Sequence, residues 1–256
     1  MKTGKRGRVF FFLLPIAALF LGSCGLEEYL YIEHVEQSNV NAEGASYSVV
    51  RISDNSATSF THYVIFYRIY LSDTLTEDPM ANLYLIHPSL SSDHATINSY
   101  IINDNLVTTN MDSFFTAKGR DFKYLSLQGA GINSVLALPN IRYLVFDFSS
   151  LKVPTMEILN SDRTPLSGPF TLWRADGFTP IPADRSFVST DDLRNGANIN
   201  EDTNTDVKSN STDPAKLYPY AYAALYIVAV GFDTIEYKYI YSRPCLIHVF
   251  RLPESS

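Results

Sequence analysis

The chain lacks features that mark three large classes of protein. It has 256 residues but only two cysteines, which excludes a scaffold held together by disulfide bonds. Its 20 lysines and arginines are outnumbered by 27 aspartates and glutamates, and the net charge of −7 argues against a nucleic-acid binder. No apolar run reaches the ~20 residues of a transmembrane helix. With 46% hydrophobic and 18% charged residues, the chain can bury a core and is not disordered as a whole.

The chain also lacks the short motifs of common enzyme classes. It contains no G-x-S-x-G nucleophile elbow, no H-E-x-x-H zinc motif and no Walker loop. Gly129-Ala130-Gly131 lacks the third glycine of a dinucleotide fingerprint, so a turn is the favoured interpretation. The five histidines are scattered rather than grouped as zinc ligands: His34, His62, His87, His94 and His248. We therefore predict no catalytic residue, no metal site and no cofactor.

The first 24 residues have the profile of an export signal. Four basic residues within the first eight give a positive start, and thirteen uncharged residues, Val9–Leu21, follow. A helix of that length reaches only ~20 Å, which is short of a ~30 Å hydrocarbon core, and Pro15 weakens it further. A short apolar run behind a positive start is typical of a segment that is removed after export, here residues 1–23.

This run ends in Leu21-Gly22-Ser23-Cys24, which resembles the lipobox of bacterial lipoproteins. The resemblance implies a diacylglycerol on the sulfur of Cys24, cleavage before that residue and acylation of the new amino terminus with a palmitate-type chain. It also implies the bacterial cell envelope, with the outer membrane as the expected site and either face open. A triacylated cysteine would anchor the chain firmly, because stable anchoring takes at least two chains. An ordinary secretory signal with an incidental cysteine is the alternative.

The lipidated tether is expected to span residues 24–40 and to include a first strand at Tyr29–Ile32. If Cys24 carries lipid, Cys245 has no partner for a disulfide bond. The apolar run Pro244–Ile247 around it predicts a buried, inert thiol.

Strand patterns dominate the mature chain, and we predict a mainly β fold. Tyr63–Leu71 is apolar on both faces, which predicts a central strand covered on both sides, and Tyr220–Phe232 has the same character. Tyr47–Ile52 and Ile240–Leu252 are further strand candidates. Pro244 marks an edge or a bulge within the last of them.

The section between these strand groups contains shorter elements. Ser91–Asn103 begins with an N-cap signal and carries apolar residues four apart, which predicts a helix. The polar stretch 194–216 predicts a mobile loop. Short strands are predicted at Phe114-Phe115, Phe122–Leu127, Arg142–Phe148, Glu157–Leu159 and Phe170–Arg174.

The outer strands resemble those of a fibronectin type III domain. The resemblance lies in Tyr63–Arg68 as the third strand, Ala224–Val230 as the sixth and Tyr241–Pro244 as the opening of the last strand. It implies an immunoglobulin- or fibronectin III-like β-sandwich formed by residues 41–74 and 217–256. A long, mostly β insertion, residues 75–216, would interrupt it. Two consecutive β domains are the alternative that the residues leave open.

Aromatic residues offer the remaining binding signal. Most tyrosines alternate along predicted strands, where we expect them to pack the core. Trp173 with Arg174, and Tyr218 with Tyr220, lie beside predicted turns. A glycan or a partner protein could reach them there, so these four residues are the candidate ligand contacts.

A stretch of Asp, Asn and Thr residues offers one candidate cation site. Asp202, Asn204 and Asp206 are spaced like the ligands of a calcium loop. The sixth position, which needs glycine, is Val207, and the twelfth is Asp213 rather than glutamate. A solvated loop is therefore the favoured interpretation.

Taken together, these patterns predict a lipid-anchored envelope protein with a non-catalytic β domain that binds or scaffolds. Its expected partners are the membrane, through Cys24, and an envelope protein or a glycan. One alternative is a carbohydrate- or peptide-binding lipoprotein that uses the Trp173 region. A further alternative is an envelope hydrolase whose acid/base pair comes from distant aspartates such as Asp147 or Asp176.

Overall fold

The computed structural model describes most of the chain after residue 31. The described residues are 32–52, 59–102, 110–117, 120–128, 135–137, 141–149, 153–174, 186–196, 205–210, 213 and 216–254. The chain divides into two units, Met1–Leu30 and Tyr31–Ser256, and all described residues belong to the second. The predicted lipobox, its Cys24 and the strand expected at Tyr29–Ile32, apart from Ile32, lie outside the described residues.

Strands are the commonest element of the described chain, and the mainly β fold class is confirmed. The strands are β1 (Val40–Glu43), β2 (Tyr47–Arg51), β3 (Phe60–Ser72), β4 (Lys123–Leu127), β5 (Tyr143–Asp147), β6 (Thr155–Leu159), β7 (Pro165–Arg174), β8 (Val207–Lys208), β9 (Tyr220–Asp233), β10 (Lys238–Tyr241) and β11 (Cys245–Arg251). The helices are α1 (Leu83–Ile86), α2 (Pro88–Ile102), α3 (Met111–Thr116) and α4 (Asp191–Arg194), and a 3-10 turn covers Gln37–Asn39. Within the described ranges, no helix combines the length and the apolar character needed to cross a membrane.

The strands form one sheet in the order β1-β2-β5-β6-β7-β4-β3-β9-β10, with β11 also paired to β9 and β8 paired to β3. All pairs are antiparallel except the parallel pair of β8 and β3. The sheet is strongly curled, because β11 returns to the region of β2. The Arg251 backbone N–H donates to the carbonyl oxygen of Ala45 at 2.7 Å, and Ser48 Oγ donates to that of Ile247 at 3.4 Å.

The two longest strands, β3 and β9, form the centre of the sheet. They pair from Phe60 opposite Gly231 to Ser72 opposite Tyr220. Both faces of both strands are buried along most of their length, which confirms the expectation of central strands covered on both sides. Helices α1 to α3 cover the face that carries Phe66. Aromatic rings inside the curl cover the other face, where Tyr67 lies edge-on to Phe187 with ring centroids 4.8 Å apart.

The middle section of the chain contributes strands to this same sheet. Strand β5 pairs with β2 along its whole length, and β4 pairs with β3 through Phe66 opposite Tyr124. Strands from the section 75–216, which was expected as an insertion, are therefore hydrogen-bonded directly to strands of the outer sections.

The strand predicted at Phe114-Phe115 was wrong, because these residues lie in α3. The side chain of Asn110 caps this helix by accepting a hydrogen bond from the Ser113 backbone N–H at 3.1 Å. The helix places Phe115 in a stack with Phe66, with ring centroids 4.3 Å apart. Packing against β3 therefore overrides the preference of phenylalanine for strands.

The helix predicted at Ser91–Asn103 exists as α2 but begins earlier, at Pro88. Proline suits the first position of a helix, because its missing N–H would have no partner there and its φ is already helical.

The polar stretch 194–216 differs from the mobile loop that was expected, at least in its described part. Val207 and Lys208 form β8, which pairs with Ile69 and Tyr70 of β3. Asp206 is only 2% exposed. Its burial has a specific cause, which is an ion pair with Arg174.

Candidate functional site

A cleft of about 410 Å³ lies at one end of the curled sheet. Strands β2 and β9 begin beside it, and β3, β5 and β11 end beside it. Sites for small ligands typically occupy ~300–1,000 Å³, so this volume suits a small molecule or a short oligomer. We refer to it as the cleft, and to this end of the molecule as the cleft end.

The lining of the cleft combines apolar surface with a few polar groups. Leu75 and Tyr220 supply much of its accessible apolar wall. The polar groups are three serine hydroxyls and two charged side chains, from Ser46, Ser149, Ser189, Arg251 and Glu254. An apolar wall with a few convergent polar groups is the usual composition of a binding site.

Backbone hydrogen bonds hold the walls of the cleft together. The Ser189 N–H donates to the carbonyl oxygen of Pro253 at 2.8 Å, and the Phe148 N–H donates to that of Ser46 at 2.7 Å. These bonds join segments that are far apart in sequence. The shape of the cleft is therefore set by the fold rather than by a single loop.

Ser189 is the most unusual polar residue of the cleft. It is 1% exposed, and its Oγ has no hydrogen-bond partner among the described residues. Leaving a buried polar atom unpaired costs about 1–3 kcal/mol. A ligand that offers a donor or acceptor at this point would remove that penalty, so this hydroxyl favours binding.

Arg251 gives the cleft a positively charged group with only a loose partner. Its Nη1 lies 3.8 Å from Oε1 of Glu77, whose side chain is exposed. Exposed ion pairs of this kind contribute about 0–1 kcal/mol. The guanidinium is therefore available to bind a carboxylate or hydroxyl of a ligand.

Of the four candidate ligand contacts, only Tyr220 lines the cleft. Tyr218 is fully buried, and its hydroxyl donates to Oδ1 of Asn210 at 3.0 Å, which conflicts with a role in direct contact. Its ring also lies under the ammonium of Lys216, with Nζ 4.5 Å from the ring centroid.

Arg174 is buried and forms an internal ion pair. Its Nε donates to Asp206 Oδ2 at 2.8 Å and its Nη2 to Oδ1 at 2.6 Å. The hydroxyl of Tyr67 also donates to Oδ2, at 2.8 Å. Burial, together with the charge of Asp206, raises the pKa of Tyr67 well above its usual range. Arg174 therefore stabilises the interior and is not a ligand contact, which corrects the expectation from the sequence.

Trp173 is half-buried on β7, opposite Ser126 of β4. It does not line the cleft. Its indole Nε1 is buried and has no hydrogen-bond partner among the described residues.

Asp206, the third ligand predicted for the candidate calcium site, is already paired in the structure. Both carboxylate oxygens of Asp206 accept hydrogen bonds from Arg174, so Asp206 is not available to a cation. Asp202 and Asn204 lie outside the described residues. In the part of the chain that the structure covers, no three His, Cys, Asp or Glu side chains are grouped as metal ligands.

The aspartates considered for hydrolysis have different outcomes. Asp147 Oδ1 accepts a hydrogen bond from the Ser149 backbone N–H at 2.8 Å and also bonds its hydroxyl. Asp147 thus positions a serine that lines the cleft. Asp176 lies outside the described residues.

A second cavity, of about 390 Å³, contains Cys245 and His94 in its lining. Burial raises the pKa of the Cys245 thiol to about 12, so the thiol is protonated at neutral pH. The expectation of a buried, inert thiol is confirmed.

Ser189 and Arg251 were missed by sequence reasoning. Each is an ordinary residue in its local context, and no motif links positions so far apart. The pairing of Ser189 with the end of the chain, through the bridge to Glu254, is what brings them together.

Comparisons with known proteins do not identify a relative. No family model matches the chain, and neither a curated protein nor a solved structure matches it. The chemistry of the cleft therefore has to be read from its own residues.

Proposed function

We propose that this protein is a lipid-anchored lipoprotein of the bacterial cell envelope whose β domain binds a small polar ligand without transforming it. The anchor is argued from Leu21-Gly22-Ser23-Cys24 behind a short apolar run. The binding role rests on one observation above all. The buried Ser189 hydroxyl, which has no hydrogen-bond partner in the part of the chain that the structure describes, lies in the same cleft as the loosely paired Arg251.

The lining favours a saccharide that carries a carboxylate. The Tyr220 ring offers a flat apolar surface of the kind that the C–H face of a sugar packs against. The serine hydroxyls suit sugar hydroxyls, and Arg251 suits a carboxylate through two parallel hydrogen bonds. A short acidic peptide shares only part of this chemistry, because it offers fewer hydroxyl groups.

A glycan array with acidic and neutral saccharides tests the binding role on the full chain. We expect saturable binding to acidic saccharides and a loss of about tenfold or more in Arg251→Gln, because a charge-assisted pair is removed. Tyr220→Ala should weaken binding to both kinds. Arg51→Gln is the matched control, since Arg51 is an exposed arginine at the other end of β2.

Absence of saturable binding to every saccharide would contradict the saccharide role, and binding to acidic peptides instead would favour the peptide alternative. Cleavage of a bound saccharide, lost in Asp147→Asn, would favour the hydrolase alternative.

The anchor has an independent test. Radiolabelled palmitate should label the wild-type protein but not Cys24→Ala, because the thioether needs the sulfur of that residue. A native product that is unacylated and retains its first methionine would contradict the anchor.

A further inference from the structure

The turn between β9 and β10 presents three large side chains to solvent. Ile235 and Tyr237 are each 81% exposed and Tyr239 is 59% exposed. We call these three residues the aromatic tip. Large apolar side chains exposed within a few residues of one another commonly mark a surface that contacts another molecule or a membrane.

Hydrogen bonds and a ring contact give the aromatic tip a defined conformation. Asp233 Oδ1 accepts hydrogen bonds from the backbone N–H groups of Ile235, at 2.7 Å, and Glu236, at 3.0 Å. Tyr239 packs edge-on against Phe232, with ring centroids 5.4 Å apart. The exposed side chains therefore project from a defined turn.

Tyr237 is an unusual residue for its place in this turn. Its φ is 53°, in the left-handed region where glycine or asparagine is more stable than an aromatic residue. An aromatic ring at such a position, 81% exposed to solvent, indicates a role outside the fold itself.

The described chain begins beside this same turn. A β-carbon on Gly231 would overlap the side chain of Ile32 and lie 2.6 Å from the carbonyl oxygen of Ser59. Gly231 is in turn paired with Ile240 of β10. Ile32 therefore packs at the base of the hairpin that carries the aromatic tip.

The cleft lies at the opposite end of the same strands. Gly231 and Tyr220 are separated by eleven residues of β9, or ~36 Å at ~3.3 Å per residue. Only eight residue steps separate Cys24 from Ile32, a reach of at most ~28 Å. A lipid on Cys24 thus restrains the hairpin end more closely than the cleft end.

We propose that the aromatic tip inserts into the interfacial layer of the membrane that holds the anchor, so that the cleft faces away from that membrane. This inference rests on the proposed lipidation of Cys24. Tyrosine suits the interface because its ring is apolar and its hydroxyl stays in contact with water.

The charges at the tip indicate that the contact is apolar. Lys238 forms an ion pair with Glu236, and Asp233 leaves the turn net negative. Attraction to anionic lipids therefore does not drive the contact, and added salt should change it little.

The test uses the full lipidated chain in phosphatidylcholine vesicles with brominated acyl chains, which quench nearby tryptophan. In Ile235→Trp, we expect about half or more of the new fluorescence to be quenched, because interfacial side chains reach ~5–10 Å into the headgroup and acyl boundary. Tyr84→Trp is the matched control, since Tyr84 is 67% exposed and lies on α1 rather than at the tip. Trp173 supplies the same background in both variants.

The outcomes separate this inference from the proposed function. A chain that carries no palmitate and does not sediment with vesicles removes the anchor and the inference together. If Ile235→Trp is acylated and sediments with vesicles, but its added fluorescence is unquenched or is quenched only at low salt, the inference alone is overturned. Cross-linking of the tip to a second copy or to another protein, without quenching, would overturn it in the same way.

Discussion

The two ends of the β3–β9 pair are built from the same strands but differ in chemistry. At the cleft end, Ser189 and Arg251 lie in a recess whose polar atoms are incompletely paired. At the hairpin end, Ile235 and Tyr237 project into solvent on a rigid turn. One end exposes large apolar side chains, and the other holds a buried hydroxyl that has no hydrogen-bond partner among the described residues.

The molecule is therefore asymmetric along its long strands, with different surface chemistry at the two ends. Each end departs from what stability alone would select, and such departures cluster at functional sites. The departures are also of opposite kind. Apolar exposure suits a lipid surface, whereas an unpaired hydroxyl in a cleft suits a polar ligand. The lipid-anchored binding protein that we propose would use both features.

The largest expected effect tests whether the two ends fold as one unit. Asp206→Asn removes the charge that pairs with buried Arg174, and breaking a buried pair typically costs about 3–5 kcal/mol. The pair ties β7 and the segment before β8 to Tyr67 in the middle of β3. We expect both ends to unfold in one transition, at a lower urea concentration than in the wild type. Hydrogen exchange in β2 and in β10 reports on the two ends separately.

Asp73→Asn is the control for this prediction. Asp73 forms an exposed ion pair with Lys216 at 2.6 Å, which solvent screens, so the midpoint of unfolding should barely move. Two separate transitions in Asp206→Asn would show that the ends are independent, and the comparison between them would lose its basis.

The next effect concerns acid and falls on the cleft half of the molecule. His87 packs beside Tyr70 with ring centroids 5.5 Å apart, and Tyr70 pairs with Tyr222 near the cleft end of β9. Burial lowers the pKa of His87 to about 4, with Lys208 and Arg68 acting in the same direction and Asp93 opposing them.

Acid should lower stability, because the unfolded chain protonates His87 at a higher pH than the folded chain does. Unfolded histidine titrates near its ordinary pKa of ~6.5, so its contribution to stability is complete above that pH and is lost as the pH falls toward 4, by up to about 3 kcal/mol. Urea unfolding at pH 7 and pH 4.5 should show this loss. His87→Gln should reduce the loss, whereas His34→Gln, near the start of the described chain, should retain it.

Hydrogen exchange can show where the acid acts. The pKa of His248 is also lowered by burial, and its Nε2 bonds the carbonyl oxygen of Gly44 at 2.9 Å, next to the cleft. We therefore expect a drop in pH to reduce the protection against hydrogen exchange more around β2 than in the β9–β10 hairpin. A larger loss of protection in the hairpin than around β2 would contradict this expectation.

The sequence predicts the parts of this fold that depend on local pattern. Tyr63–Leu71 is apolar on both faces, and that pattern alone identifies a central strand, which the structure confirms as β3. The N-cap signal near Ser91 likewise identifies α2, with an error of three residues at its start. The apolar run around Cys245 identifies a buried thiol.

The parts that it misses depend on contacts between distant residues. Val207 joins the sheet because Asp206, beside it, is drawn inside by Arg174, and nothing in the polar stretch itself indicates this. The cleft is missed for the same reason, since Ser189 and Arg251 meet only when the end of the chain packs against the segment before α4. A local pattern carries no information about such a meeting.

The smallest expected effects come from one glycine at each end. At the hairpin end, Gly231→Ala forces a β-carbon against Ile32 and the Ser59 backbone, and overpacking of this kind typically costs about 1–3 kcal/mol. At the cleft end, Gly44 has a φ of +58° and open space around it, so Gly44→Ala meets only backbone strain, about 1 kcal/mol. Urea unfolding of the two variants should therefore give the larger loss for Gly231→Ala. A larger loss of stability for Gly44→Ala would mean that the cleft end is the more tightly determined of the two. The hydrogen bond between His248 and the Gly44 carbonyl oxygen would then contribute more to stability than the packing beneath the hairpin.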